Sequence, residues 1–135
     1  MPVMRWRCQD YGCYLQRRTD TVMFDGCFPA GVGMSDIDGI VELNGHFLVV
    51  EFKRSGTRIP VGQWRMFEQL VATGHFRVVI VFALEQHVMS WTWFTPKGAE
   101  HREGDVEALR EEIAQWSRRH DPRPVVTGPV RRPEN

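Results

Sequence analysis

The chain has 135 residues, enough for one domain with a modest core. Hydrophobic residues make up 42% and charged residues 25% of the sequence, values close to globular averages that exclude wholesale disorder. The 17 basic and 17 acidic residues give a net charge of zero, which excludes a strongly basic nucleic-acid-binding coat but not a local basic patch. The sequence has no apolar run of membrane-helix length and no apolar signal-peptide core at its start. We therefore expect a cytoplasmic protein that does not enter a membrane.

The clearest local signal is a β-hairpin near the middle of the chain. Residues 37–43 and 46–53 are two β-prone runs, and they are separated by Asn44-Gly45. A type I′ turn needs positive φ at both central residues, and Asn-Gly supplies this better than other pairs. The sequence therefore predicts a tight two-residue hairpin.

The sequence after the hairpin alternates between helical and strand-like patterns. The predicted elements are a helix over residues 63–73 ended by Gly74, strands over residues 76–84 and 89–94, and a helix that Asp105 caps and that ends near His120. We divide the chain into a cysteine-containing N-terminal segment packed on the core (residues 1–30), a core (residues 31–120) and a flexible Pro/Arg-rich tail (residues 121–135).

The hairpin turn also predicts which side chains share a face. Counting outward from the turn places Asp38 opposite Glu51 and Asp36 opposite Lys53, and the alternation of side chains puts all four on one face. Two opposed carboxylates on strands this apolar repel each other, and their burial is costly without compensation. A magnesium ion would remove the repulsion, and its preference for carboxylates, water and phosphate suits phosphodiester chemistry. The alternative is a set of strand-end charges on an open face, with Lys53 as a simple counter-ion.

The segment from Asp38 to Lys53, D-G-I-V-E-L-N-G-H-F-L-V-V-E-F-K, resembles the core of the PD-(D/E)XK nuclease superfamily. Its spacing is similar to that of archaeal Holliday-junction resolvases. Gly33-Met34-Ser35-Asp36 resembles the Gly-x-Pro-Asp of virus-type replication-repair nucleases, with serine in place of proline. The two alignments select different aspartates; cross-strand geometry favours Asp38 and leaves Asp36 as a reserve ligand. The resemblance implies an α/β fold with a restriction-endonuclease-like αβββαβ core, in which helices flank a mixed central sheet.

The resemblance also implies an enzyme, an Mg²⁺- or Mn²⁺-dependent endonuclease that hydrolyses DNA phosphodiesters. Asp38, Glu51 and the main-chain carbonyl of Phe52 would hold the metal, and Lys53 would orient or deprotonate the attacking water. Gln63 stands where the superfamily often has a glutamine, at the start of the next helix. We expect it to face the site, although a position facing solvent is the alternative.

Residues outside the hairpin suggest additional binding sites. Cys8, Cys13 and Cys27 would supply three ligands to a structural zinc ion, or would remain free thiols. Five arginines near the motif in sequence are candidates for contacts with DNA phosphates, or are solvated surface residues: Arg17, Arg18, Arg54, Arg58 and Arg65.

Two other interpretations of the whole chain remain open. One is a non-catalytic DNA-binding or inhibitory module that retains the nuclease fold. The other is a zinc-stabilised interaction protein in which the hairpin resembles a nuclease by coincidence. Small proteins of this pattern are familiar from phages and prophages, so the expected location is the cytoplasm of a bacterium or phage host. We expect a homodimer, because a small neutral chain would bind a DNA duplex weakly as a monomer.

Overall fold

The computed structural model describes residues 22–124, in which five strands form one mixed sheet. The spatial order is the chain order, β1-β2-β3-β4-β5; β2 and β3 are parallel, and the other neighbouring pairs are antiparallel. The elements are a 3₁₀ turn (Val22–Phe24), β1 (Gly39–Leu43), β2 (His46–Arg54), α1 (Val61–Ala72), β3 (Phe76–Leu84), β4 (His87–Thr95), β5 (Gly98–Glu103) and α2 (Val106–His120).

The predicted hairpin and its register are confirmed. Asn44 and Gly45 have φ of 50° and 83°, as a type I′ turn requires. The ladder pairs Leu43 with His46 and continues without a shift to Gly39 opposite Val50. Extending this register by one residue places Asp38 beside Glu51.

Helix α1 connects the parallel strands β2 and β3. It begins at Val61, two residues earlier than predicted. The reason is that Pro60 is extended, and its carbonyl accepts the first helical hydrogen bond from the main-chain N–H of Trp64 (2.9 Å). Its last residue is Ala72, and Gly74 follows with φ of 86°. The predicted glycine stop is confirmed, since glycine adopts this conformation without strain.

The last two strands differ most from the prediction. Strand β4 is longer than residues 89–94 because the turn before it is tight, with Glu85 and Gln86 at φ of 49° and 68°. Neither residue is a typical left-handed turn former, so the turn gave no local signal. Strand β5 was missed entirely because all six of its residues are exposed and it has no apolar face.

The sheet buries both of its faces, one under each helix. On one face, Phe67 and Val71 of α1 pack against a cluster that includes Val78 and Ile80. On the other face, Leu109 and Trp116 of α2 pack against Leu48, Val79, Val81, Val88, Trp91 and Trp93. Alternation along β3 divides its residues between the two clusters. The α/β class and the mixed sheet flanked by helices are therefore confirmed.

The predicted αβββαβ order of the core is not confirmed. That order places a helix and three strands before the second helix, whereas two strands precede α1 within the described residues. The predicted N-terminal segment lies mostly outside the description, and its described part, residues 22–30, is exposed. At the start of the predicted tail, Asp121 is buried and its carboxylate accepts hydrogen bonds from the main chain and guanidinium of Arg123.

Neither α-helix of residues 22–124 is long and apolar enough to span a membrane.

Both ends of α2 are held by side chains. Asp105 caps the start by accepting a hydrogen bond from Ala108 N (3.0 Å), as the sequence predicts. At the other end, Asn44 Nδ2 donates to the carbonyl of His120 (2.7 Å), and the His120 ring stacks on His46 with centroids 3.9 Å apart. The end of α2 is thereby attached to the hairpin turn.

This attachment is expected to weaken in acid. Burial lowers the pKa of His120 below its usual 6.5, and His46, Arg77 and Arg119 lower it further. Because the unfolded chain binds this proton more readily, the contribution of His120 to stability decreases as pH falls through the ordinary histidine pKa. Thermal melts at pH 7.5 and 5.5 should show a smaller acid-induced decrease in His120→Gln than in wild type, since glutamine does not titrate. Equal decreases in the two proteins would contradict this role.

Candidate functional site

Two carboxylates, those of Asp38 and Glu51, form an interlocked pair at the open end of the β1–β2 hairpin: each accepts a hydrogen bond from the main chain of the opposite segment. The main-chain N–H of Asp38 donates to Glu51 Oε1 (3.0 Å), and the main-chain N–H of Phe52 donates to Asp38 Oδ2 (2.8 Å). Asp38 lies just before β1, so these bonds continue the contact between the chain segments where the ladder ends. Each carboxylate is therefore oriented by the backbone of the opposite segment.

Glu51 is a buried carboxylate, with only 4% of its surface exposed. Burial raises the pKa of Glu51 above its ordinary value of 4.5, and the negative charges of Asp38 and Asp36 raise it further. The hydrogen bond from the Asp38 N–H and the positive charge of Lys53 act in the opposite direction. The net effect is a carboxylate whose charge is incompletely compensated by the protein.

Gln63, in the first turn of α1, covers Glu51. Its Nε2 donates to Glu51 Oε2 (3.3 Å), so the expectation that Gln63 faces the acids is confirmed. Its Oε1 is buried and has no hydrogen-bond partner among the described residues. Buried acceptors normally have a donor, so this oxygen is suited to a water molecule or another donor bound in the site.

These residues line one open cavity of about 860 Å³. The lining includes every residue that the sequence assigns to catalysis or to the divalent metal: Asp36, Asp38, Glu51, Phe52, Lys53 and Gln63. Alternation along β2 places Glu51 and Lys53 on the α1 face of the sheet. Asp36 and Asp38 are exposed, whereas Glu51 is buried.

Further lining comes from residues 31–35 and from Pro60, Gly62 and Met66, which the sequence did not assign to the site. Met66 is partly buried and packs against the apolar cluster on the α1 face of the sheet. Its position three residues after Gln63, on the same side of the helix, was a usable signal.

The other predicted binding residues that the structure describes do not line this cavity. Arg54, Arg58 and Arg65 are exposed, and none of them lines the cavity. Cys27 is an exposed free thiol. The other predicted ligands and contacts lie outside the described residues: Cys8, Cys13, Arg17 and Arg18. Between residues 22 and 124, no three His, Cys, Asp or Glu side chains are grouped so that they could hold a metal ion.

Comparisons of the chain with protein-family models, with curated proteins and with solved structures find no match. The chemistry of the site is therefore inferred from its own atoms. It combines two fixed carboxylates, a lysine and a buried amide oxygen that has no donor within residues 22–124. Oxygen donors of this kind are those that hard divalent cations prefer.

The incomplete compensation of Glu51 has a measurable consequence. Because its pKa is raised, the ionised carboxylate destabilises the native state as pH rises above 4.5, and the loss is complete above the raised pKa. Glu51→Gln removes the charge, and rotation of the Gln63 amide lets its free Oε1 accept from the new side chain. We expect the metal-free variant to melt roughly 3 °C higher at pH 8, the effect of about 1 kcal/mol in a domain of this size.

This gain should vanish at pH 4, where wild-type Glu51 is protonated. The matched control is Glu68→Gln, which neutralises an exposed carboxylate on α1, the helix that carries Gln63, and should leave the melting temperature unchanged. A Glu51→Gln protein that melts at or below the wild-type temperature at pH 8 would contradict the geometry described for Glu51.

Proposed function

We propose that the chain is a Mg²⁺- or Mn²⁺-dependent deoxyribonuclease of the PD-(D/E)XK type. The observation that carries the proposal is the interlocked pair of Asp38 and Glu51, with Lys53 and Gln63 in the same cavity. A module that only bound DNA would gain nothing from two fixed carboxylates near phosphate, because like charges repel. The charge arrangement therefore favours catalysis over binding alone.

The connections around the site are consistent with a restriction-endonuclease-like core. An acid precedes β1, Glu-x-Lys lies on β2, and α1 then leads to the parallel strand β3. Gln63 bonds to the Glu51 carboxylate from the first turn of that helix. This strand–strand–helix–strand order is the part of the chain on which the resemblance rests.

The donor set fits a hard divalent cation. Asp38, Glu51 and the carbonyl of Phe52 would hold the cation. The raised pKa of Glu51 indicates that the protein alone supplies too little positive charge around this carboxylate. When bound, Mg²⁺ or Mn²⁺ would acidify a coordinated water and stabilise negative charge on the phosphate.

The side chains around the acids have separate tasks in this proposal. Lys53, on the same face as Glu51, holds or deprotonates the attacking water and offsets charge on the phosphate. The free Oε1 of Gln63 accepts a hydrogen bond from that water and fixes its orientation. The hydrogen bonds between Asp38 and Glu51 hold the two carboxylates in place before the substrate arrives.

The proposal extends to the setting of the reaction. DNA is the substrate, and a homodimer in a bacterial or phage-host cytoplasm is the expected form. Support for the dimer comes from charge: a chain with 17 basic and 17 acidic residues has little long-range attraction for DNA, and two copies would double the number of phosphate contacts.

Metal dependence is the direct test. Cleavage of labelled DNA should require Mg²⁺ or Mn²⁺ and disappear in EDTA, and Ca²⁺ should support binding with little cleavage. Millimolar Mn²⁺ should also raise the melting temperature of wild type, because it binds only the native state, and should have little effect on Glu51→Gln. Full cleavage in EDTA, or equal stabilisation of both proteins by Mn²⁺, would refute the metal site.

Substitutions should rank the two aspartates. Asp38→Asn keeps an acceptor for the Phe52 N–H but loses the charge, and we expect cleavage to fall about 100-fold or more, with a similar loss in Lys53→Ala. Asp36→Asn should retain measurable activity because it leaves both carboxylates of the hydrogen-bonded Asp38–Glu51 pair in place. Glu68→Gln serves as the control. If Asp36→Asn abolishes cleavage and Asp38→Asn does not, Asp36 is the metal ligand.

A further inference from the structure

The cavity that holds the acids also has an apolar wall. This wall comprises Val32 and Met34 from the segment before β1, together with Pro60 and Met66 around the start of α1. Val32 and Met34 are 57% and 51% exposed, so a ligand can reach them from solvent. Apolar surface and the acid–lysine group are therefore available to the same bound molecule.

The size of the cavity restricts what that molecule can be. About 860 Å³ lies within the range of roughly 300–1,000 Å³ that is typical of sites for small ligands. In duplex DNA the bases are stacked and paired, so their faces are covered and only phosphates and groove edges are presented. An unstacked nucleotide, in contrast, offers a phosphate and a bare base face together.

We propose that the cavity receives one unpaired nucleotide, with its base on the apolar wall and its phosphate beside Lys53, so that single-stranded or flapped DNA is the preferred substrate. This inference rests on the proposed nuclease function and specifies its substrate class. A duplex would first have to unpair and unstack the nucleotide, which costs free energy, whereas a single strand would not. The selectivity therefore follows from the shape of the site.

The chemistry of the wall also predicts a lack of base preference. Methionine side chains are flexible and polarisable, and they adapt to flat apolar partners of different shape. Contacts to a base face are tolerant of sequence because each base has such a face. We expect the site to select unpaired over paired DNA and to discriminate little among the four bases.

The test compares a single strand, a flap and a blunt duplex of matched sequence, by binding in Ca²⁺ and by cleavage in Mn²⁺. Wild type should bind and cleave the first two at least about tenfold better than the duplex. Met34→Ala should weaken single-strand binding and cleavage about fivefold, at the lower end of base-contact effects. Met89→Ala is the matched control, because Met89 is 47% exposed but lies on β4 outside the cavity.

The outcomes separate this inference from the proposed function. Equal cleavage of duplex and single strand, or equal behaviour of Met34→Ala and Met89→Ala, overturns the nucleotide site and leaves the nuclease intact. Selective binding of single strands that depends on Met34, without cleavage of any DNA, supports the nucleotide site and overturns the catalytic proposal. A protein that neither binds nor cleaves these DNAs overturns both. Melting curves of both variants establish that any loss does not come from unfolding.

Discussion

The arrangement of the candidate site depends on two hydrogen bonds that main-chain N–H groups donate to the carboxylates of Asp38 and Glu51. The β1–β2 ladder stops at Gly39. Beyond it, side-chain hydrogen bonds replace the ladder bonds: the carboxylate of Glu51 accepts from the main-chain N–H of Asp38, and the carboxylate of Asp38 accepts from the main-chain N–H of Phe52. Hydrogen bonds to ionised groups are stronger than neutral ones. The two acids are therefore held by main-chain groups at the open end of the hairpin.

The two faces of the sheet then have different roles. Toward α2, β2 contributes Leu48 to a continuous apolar core that contains three buried tryptophans: Trp91, Trp93 and Trp116. Toward α1, the same strand changes from the buried Val49 to Glu51 and then to Lys53, so the core gives way to the cavity. A buried charged group is destabilising, and the apolar cluster under α2 provides stability that offsets it.

Local interactions explain why much of this arrangement could be predicted. The Asn44-Gly45 turn determines the register through backbone conformation alone, and the register in turn places Asp38 beside Glu51. The Asp105 cap and the end of α1 at Gly74 are likewise set within a few residues. Strand β5 lacked any such signal, because its exposed residues show no apolar alternation and it is a strand only through its pairing with β4.

The hairpin, its register and the acids that share its face could all be predicted, because they follow from φ preferences and side-chain alternation over about 15 residues. The burial of Glu51 could not be predicted and comes from tertiary packing, since it requires α1 to cross the sheet and bring Gln63 over the carboxylate. Tertiary packing also brought residues 31–35 and Met66 to the same cavity. Burial and cavity shape are sums of contacts between distant segments, and no local pattern encodes them.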